Sequence, residues 1–78
     1  KIKSNEVHWL INNHAIPINT QKNYLVRIRH RQKLQKAKLI REKDYLYILF
    51  REKQRGISKG QFATWYLNNE LIGSGPIS

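Results

Sequence analysis

The chain has 78 residues, enough for one small domain with a thin hydrophobic core. Hydrophobic residues make up 40% of it, too large a share for a typical disordered segment. It contains no cysteine, which excludes disulfides, thiolate metal sites and cysteine nucleophiles. Its apolar runs are far shorter than the roughly 20 residues that cross a bilayer, and no signal-peptide pattern is visible. We therefore expect a cytoplasmic location and, since no initiator methionine is present, a single domain over residues 1–78 cut from a longer chain.

In chain order, the first predicted strand covers residues 6–11, followed by a loop that contains Pro17. The clearest strand is 24–32, where an apolar row alternates with a basic row. Residues 35–40 alternate in the same way, and 41–44 form a hairpin turn. A helix over 33–43 is the alternative, because most of these residues are good helix formers, but its apolar stripe is weak.

The second half continues with short strands. Residues 45–50 are apolar on both faces, which indicates a buried strand. In the loop that follows, Gly56 and Gly60 suit positive φ angles. Asn68 and Asn69 suit a two-residue primed turn between strands 61–67 and 70–77, and the glycines of the last strand favour a bulge. Six strands with short connections predict an all-β fold, a small six-stranded antiparallel barrel.

The positive charge is concentrated in the middle of the chain. Residues 22–59 hold 13 of the 15 Lys and Arg residues and only three of the five acids, so they carry the whole net charge of +10. Such an excess attracts polyanions, with nucleic acid as the first candidate and an anionic membrane surface as the second. The sequence shows no basic amphipathic helix, which counts against a membrane. The competing interpretation is a solvated face that keeps the domain soluble.

The sequence predicts no catalytic or metal site. The five acids are scattered, and the three histidines have neither a common helical face nor an acidic cluster beside them. Ser58 and Ser74 have no evident activating histidine, and the glycine spacings lack the lysine and hydroxyl of a phosphate loop. We therefore expect neither catalysis nor a cofactor in this segment.

A row of cations follows the predicted strand 24–32. Arg27, Arg29 and Arg31 alternate, so their side chains point to one side about 6–7 Å apart, close to the spacing of successive phosphates. Each guanidinium can bind phosphate with two hydrogen bonds. The lysines of the next strand extend the same patch. The predicted nucleic-acid-binding residues are Arg27, Arg29, Arg31, Lys36 and Lys38.

The basic residues and a set of aromatic residues each have both a binding and a structural interpretation. The aromatic residues Tyr45, Tyr47, Trp65 and Tyr66 are able to stack on bases, but in a domain this small they more often form the core. The arginine stems can instead pack on a neighbouring strand and pair with Glu52 or with a chain-end carbonyl. The sequence leaves these alternatives open.

Four ordered blocks are spread along nearly the whole chain, from residue 7 to residue 77: 7–10 (VHWL), 26–32 (VRIRHRQ), 50–61 (FREKQRGISKGQ), and 65–66 with 71–77 (WY and LIGSGPI). Together they resemble the C-terminal domain of the tRNA-specific 2-thiouridylases, a family also labelled tRNA methyltransferase. The departures are Lys53 and Lys59, where the family often has proline, and Trp65, where a smaller residue is usual.

The resemblance implies a terminal β-barrel, similar to the second domain of translation elongation factors, that completes the enzyme and helps to hold tRNA. In this family the full enzyme uses ATP to adenylate the wobble uridine of tRNA, and a cysteine persulfide delivers sulfur. These groups belong to an N-terminal catalytic domain, so ATP is a cofactor of the parent enzyme. The implied partners are tRNA and that catalytic domain. The alternative functions are an interaction barrel that docks on the catalytic domain or on a sulfur-carrier protein, and a free-standing RNA-binding barrel.

Overall fold

The structure, a computed structural model, describes residues 1–10, 16–28, 33–54 and 56–78. A short 3-10 turn, Ser4–Glu6, joins the first two strands. The strands are β1 (Ile2–Lys3), β2 (His8–Trp9), β3 (Thr20–Arg27), β4 (Gln35–Arg41), β5 (Tyr45–Phe50), β6 (Phe62–Leu67) and β7 (Glu70–Pro76). Within these ranges they form one antiparallel sheet in the order β1-β5-β4-β3-β6-β7-β2.

The all-β fold class is confirmed, with a correction to the number of strands. The described sheet has seven strands where six were predicted, because β1 pairs with β5 although it is too short to show an alternating pattern. The sheet is open, with β1 and β2 as its end strands. These two strands follow each other in the chain, so the 3-10 turn runs from one edge of the sheet to the other and makes it barrel-like.

The strand boundaries differ from the predicted ones mainly at the ends. The predicted strand 6–11 is reduced to β2, with Glu6 in the 3-10 turn and Ile11 outside the described residues. β3 begins at Thr20 rather than at residue 24, and residues 29–32 lie outside the described part. The helical alternative for 33–43 is wrong, because β4 pairs with a strand on each side. Pairing on both sides satisfies the backbone groups that a helix would satisfy internally.

The predicted turn residues adopt the conformations that their types favour. Asn68 and Asn69 have φ angles of 51° and 67°, which confirms the two-residue turn between β6 and β7. Gly56 and Gly60 also have positive φ angles, of 67° and 92°. The local backbone at these turns therefore follows directly from residue type.

β7 contains the bulge that its glycines predicted. Trp65 pairs with Gly73 and Tyr66 with Leu71, so Ile72 is an extra residue on β7. A bulge increases the local twist of a strand pair, which helps a small sheet to curve. The bulge lies next to the largest side chain of the core.

The inner face of the curved sheet encloses the core. Trp65 is fully buried, and its ring packs edge-on against Trp9 with 5.5 Å between ring centroids. No polar or charged residue is buried among the described residues. The buried hydrophobic residues are Ile2, Ile16, Tyr24, Val26, Ile28, Ala37, Leu39, Leu46, Ala63, Trp65, Ile72 and Ile77.

Candidate nucleic-acid interface

The alternation of β3 and β4 determines which of their side chains face outward. In β3, two buried positions alternate with Asn23, Leu25 and Arg27, which therefore lie on the outer face. In β4, two buried positions alternate with Lys36 and Lys38, which are exposed on the same face. The outer face thus brings basic side chains of two neighbouring strands together.

The strand register aligns these residues in rows across the sheet. Leu25 lies opposite Lys36 on one side and opposite Tyr66 on the other. The backbone N–H of Arg51, just after β5, donates to the carbonyl of Lys36 at 2.9 Å, so Arg51 continues this row. Cross-strand neighbours are about 5 Å apart, so in this row the apolar pair Tyr66 and Leu25 adjoins the basic pair Lys36 and Arg51.

A second row lies beside the first. Asn23 pairs with Lys38, and Lys38 pairs with Leu49 of β5. Leu49 is 54% exposed, so the expectation that 45–50 is buried on both faces is wrong at this position. The described structure covers only the inner face of β5, because the strand lies in a single curved sheet.

The structure places some of the predicted binding residues together and leaves others undescribed. Lys36 and Lys38 are exposed and share the outer face with Arg27, which is half-buried. Arg29 and Arg31 lie outside the described residues. Nucleic-acid binding by any of these five residues stays a prediction.

Arg27 is held by an aromatic neighbour. Its Nη2 donates a hydrogen bond to the Tyr66 hydroxyl at 3.0 Å, and its guanidinium carbon lies 5.5 Å from the centroid of the Tyr66 ring. The combination of a hydrogen bond and a cation–π contact restricts both side chains. Arg27 therefore has fewer donors available for a ligand than the neighbouring lysines, and Tyr66 has a defined orientation.

These rows form a depression of about 640 Å³ on the outer face, which we call the basic groove. Its charged lining residues are all basic, and none of the acids lines it. Sequence reasoning missed Leu49 and Arg51 as members, because only the register with β4 places them here. The lining residues are Asn23, Tyr24, Leu25, Lys36, Ala37, Lys38, Leu49, Arg51, Tyr66, Leu67 and Asn68.

The environment of Tyr66 favours its ionised form. A hydrogen bond with the Thr64 side chain lowers the pKa of Tyr66 from its ordinary value, and the hydrogen bond and charge of Arg27 lower it further, while burial opposes them. Burial raises the pKa of Tyr24. The two phenols therefore differ because Thr64 and Arg27 lower the pKa of Tyr66, whereas burial is the cause that acts on Tyr24.

We expect Tyr66 to deprotonate at a lower pH than Tyr24 as the pH rises. NMR of carbon-13-labelled tyrosine rings would measure the two midpoints, with Tyr66→Phe and Tyr24→Phe used to assign the signals. Arg27→Gln should move the Tyr66 midpoint upward, because it removes the neighbouring cation. A Tyr66 midpoint that Arg27→Gln leaves unchanged would contradict the contact.

The third sequence block has a structural role in its last residues. The backbone N–H of Ser58 donates to Oε1 of Gln61 at 2.8 Å, which closes the turn. Gly60 donates its N–H to the carbonyl of Ile77 at 2.8 Å, and Ile77 donates back to Gln61 at 2.7 Å. These bonds attach the loop to the end of β7, away from the basic groove.

No three His, Asp or Glu side chains in the described ranges lie close enough together to hold a metal ion. No helix in the same ranges combines the length and apolar character needed to cross a membrane. The basic groove is therefore the candidate functional site.

Comparison with known proteins gives one family match and several similar sequences. Residues 1–77 match the family described as Aminomethyltransferase beta-barrel domain. The tRNA-specific 2-thiouridylase MnmA of Flavobacterium johnsoniae is 44% identical over 77 residues, which are 99% of this chain and 20% of that relative. Proteins of the same name from Christiangramia forsetii and Karelsulcia muelleri are 43% and 42% identical, with the same shares covered. The chain thus spans about a fifth of the length of these relatives. No solved structure matches it.

Proposed function

We propose, from the premise that this chain belongs to the β-barrel domain family of the tRNA-specific 2-thiouridylases, that its outer face holds tRNA by the phosphate backbone. Family membership confirms the resemblance of the four sequence blocks. The observation that supports the binding role is the exposed pair Lys36 and Lys38, which lies beside Arg51 in a groove that no acid lines. Phosphate contacts position a nucleic acid without reading its sequence, so the domain contributes affinity and orientation.

The chemistry of the parent enzyme belongs, in this proposal, to the part of the protein outside this chain. The parent thiolates the wobble uridine of tRNA with ATP and a sulfur donor, and an N-terminal catalytic domain carries both steps. The relatives bear the name 2-thiouridylase, and this chain matches about a fifth of their length. The barrel then completes the enzyme and adds a cationic surface for its tRNA substrate.

Salt dependence tests this role. The cations of the outer face are Arg27, Lys36, Lys38 and Arg51. If each of the four neutralises one phosphate, log K should fall with log salt concentration at a slope of about −3 to −4. The double variant Lys36→Gln/Lys38→Gln should flatten that slope by about 2, because two phosphate contacts are lost. Fluorescence anisotropy with labelled tRNA at several salt concentrations measures both slopes.

The matched control removes the same number of charges elsewhere. Lys3 and Lys43 are exposed and do not line the basic groove. The variant Lys3→Gln/Lys43→Gln should keep the wild-type slope if the contacts are local. Equal flattening by both variants would mean that only the net charge matters, and the proposed interface would be wrong.

A second candidate function has its own observation. Phe62 of β6 is 61% exposed on the outer face, more than any other large hydrophobic side chain in the described ranges. An exposed aromatic of this kind suits a contact with the catalytic domain or with a sulfur-carrier protein. If the groove variants bind tRNA like the wild type, while Phe62→Ser releases the domain from its catalytic portion in a pull-down, this second function is favoured.

A further inference from the structure

The floor of the basic groove is apolar, and contacts with the phosphate backbone of RNA would not use this apolar surface. Leu25 lies between Lys36 and Tyr66 in one row, and the exposed Leu49 lies beside Lys38 in the next. The surface of a duplex presents charged phosphates and sugars, so it would satisfy the lysines and leave Leu49 in water. A ligand that matches the whole groove carries an apolar face beside its anionic groups.

Tyr66 provides a ring of fixed orientation at this floor. Its hydroxyl accepts the hydrogen bond of Arg27, and the guanidinium lies near its ring. A ring that is already restrained loses less side-chain entropy when a ligand stacks on it. Stacking of a nucleobase on an aromatic side chain contributes strongly to the binding of unpaired RNA.

The size and rim of the groove also fit a nucleotide. Its volume of about 640 Å³ lies within the range of small-ligand sites, roughly 300–1,000 Å³. Exposed Asn23 and Asn68 lie on the rim. Each amide offers both donors and an acceptor, as the edges of nucleobases do.

We propose that the basic groove receives one unpaired nucleotide, with its base against Tyr66 and Leu25 and its flanking phosphates at Lys36, Lys38 and Arg51. This inference rests on the proposed tRNA-binding function and deepens it, because it names the form of RNA that the face recognises. The domain then prefers a bulge, a loop or a single strand to continuous duplex.

An acidic peptide is the other ligand with apolar and anionic groups, and the sheet disfavours it. The groove lies over β3 and β4, and each of these strands pairs with a neighbour on both sides. An extended peptide gains much of its affinity by adding to a free strand edge, and these inner strands have none to offer. A nucleotide needs no backbone pairing with the sheet.

Two RNA hairpins that differ by one bulged adenosine test the inference, with binding to the 78-residue chain measured by fluorescence anisotropy. The wild type should bind the bulged hairpin about tenfold more tightly than the fully paired one. Tyr66→Leu should abolish this preference, because it removes the stacking ring. It should not flatten the salt slope, because Lys36, Lys38 and Arg51 remain in place. The matched control is Tyr47→Leu, a half-buried tyrosine of β5 that does not line the groove, and it should keep the preference.

The outcomes separate this inference from the function on which it rests. Circular dichroism checks the fold of each variant. If Tyr66→Leu fails to fold, Leu49→Ser is used instead, because it makes the apolar groove lining beside Lys38 polar at an exposed position and should also reduce the preference. Equal binding of the two hairpins by the wild type, with a steep salt slope, overturns the nucleotide site and leaves the phosphate contacts in place. Failure to bind either hairpin overturns both proposals. Binding of a glutamate-rich peptide in preference to the bulged hairpin also overturns the nucleotide site.

Discussion

A Gly73→Ala variant is expected to lose about 3 kcal/mol of unfolding free energy, because the added methyl group has no room. An alanine Cβ at this position would lie 2.7 Å from both Cζ2 and Nε1 of Trp65. Trp65 is fully buried, and its ring packs edge-on against Trp9, so the indole cannot rotate away without disturbing the core. Urea unfolding followed by tryptophan fluorescence would measure the loss.

Two further variants identify the clash as the cause. Ser74→Ala changes the next residue of β7, which is half-buried, and should cost less than about 1 kcal/mol. Trp65→Phe combined with Gly73→Ala should lose less than the sum of the single changes, because the smaller ring makes room for the methyl. The indole N–H finds no hydrogen-bond acceptor among the described residues, so the phenylalanine breaks no such bond there. Strictly additive costs would show that the methyl and the indole do not meet.

Gly75→Ala is expected to cost about 2 kcal/mol and to loosen the join between β1 and the rest of the sheet. The added Cβ would lie 2.8 Å from Cγ2 of Ile2 and 3.2 Å from the backbone oxygen of Glu6. Ile2 is fully buried, yet β1 has only two residues to pair with β5. The strain therefore acts on one of the two shortest attachments in the described sheet, the other being that of β2 to β7.

Amide hydrogen exchange would locate this effect. The N–H of Ser4 donates to the carbonyl of Asp44 at 2.9 Å and reports on the attachment of β1. Its protection should fall much further than that of the amides in β3, which pairs on both sides. Ile2→Ala in the same background removes the nearest methyl group and should make the two losses less than additive. A uniform loss of protection across all strands would mean that the added methyl group weakens the whole sheet rather than the attachment of β1 to β5.

Local patterns explain why so much of the strand content was predictable. Residues 45–50 form β5 as predicted, and β4 differs from its prediction by a single terminal residue, Arg41. Asn68 and Asn69 form the predicted two-residue turn, since asparagine tolerates positive φ. By contrast, β1 was missed because two residues carry no periodic signal, and its strand pairing depends on a partner more than 40 residues away.

The candidate site was predictable only in part for the same reason. Alternation alone placed Lys36 and Lys38 on one face, and the structure agrees. The groove between them required long-range register: Arg51 joins it through a backbone bond to Lys36, and Tyr66 joins it from β6. The half-burial of Arg27 likewise depends on Tyr66, 39 residues further along the chain.

By itself, the amino-acid sequence determined the all-β class, the turns, the concentration of positive charge and the family. Each of these depends on residue type and short-range spacing. The tertiary structure alone decided which strands lie side by side, and with that which cation is held by an aromatic ring and which remain exposed over an apolar floor. The physical reason is that the pairing of distant strands is selected by the packing of the whole core around Trp65, and no local pattern contains that information.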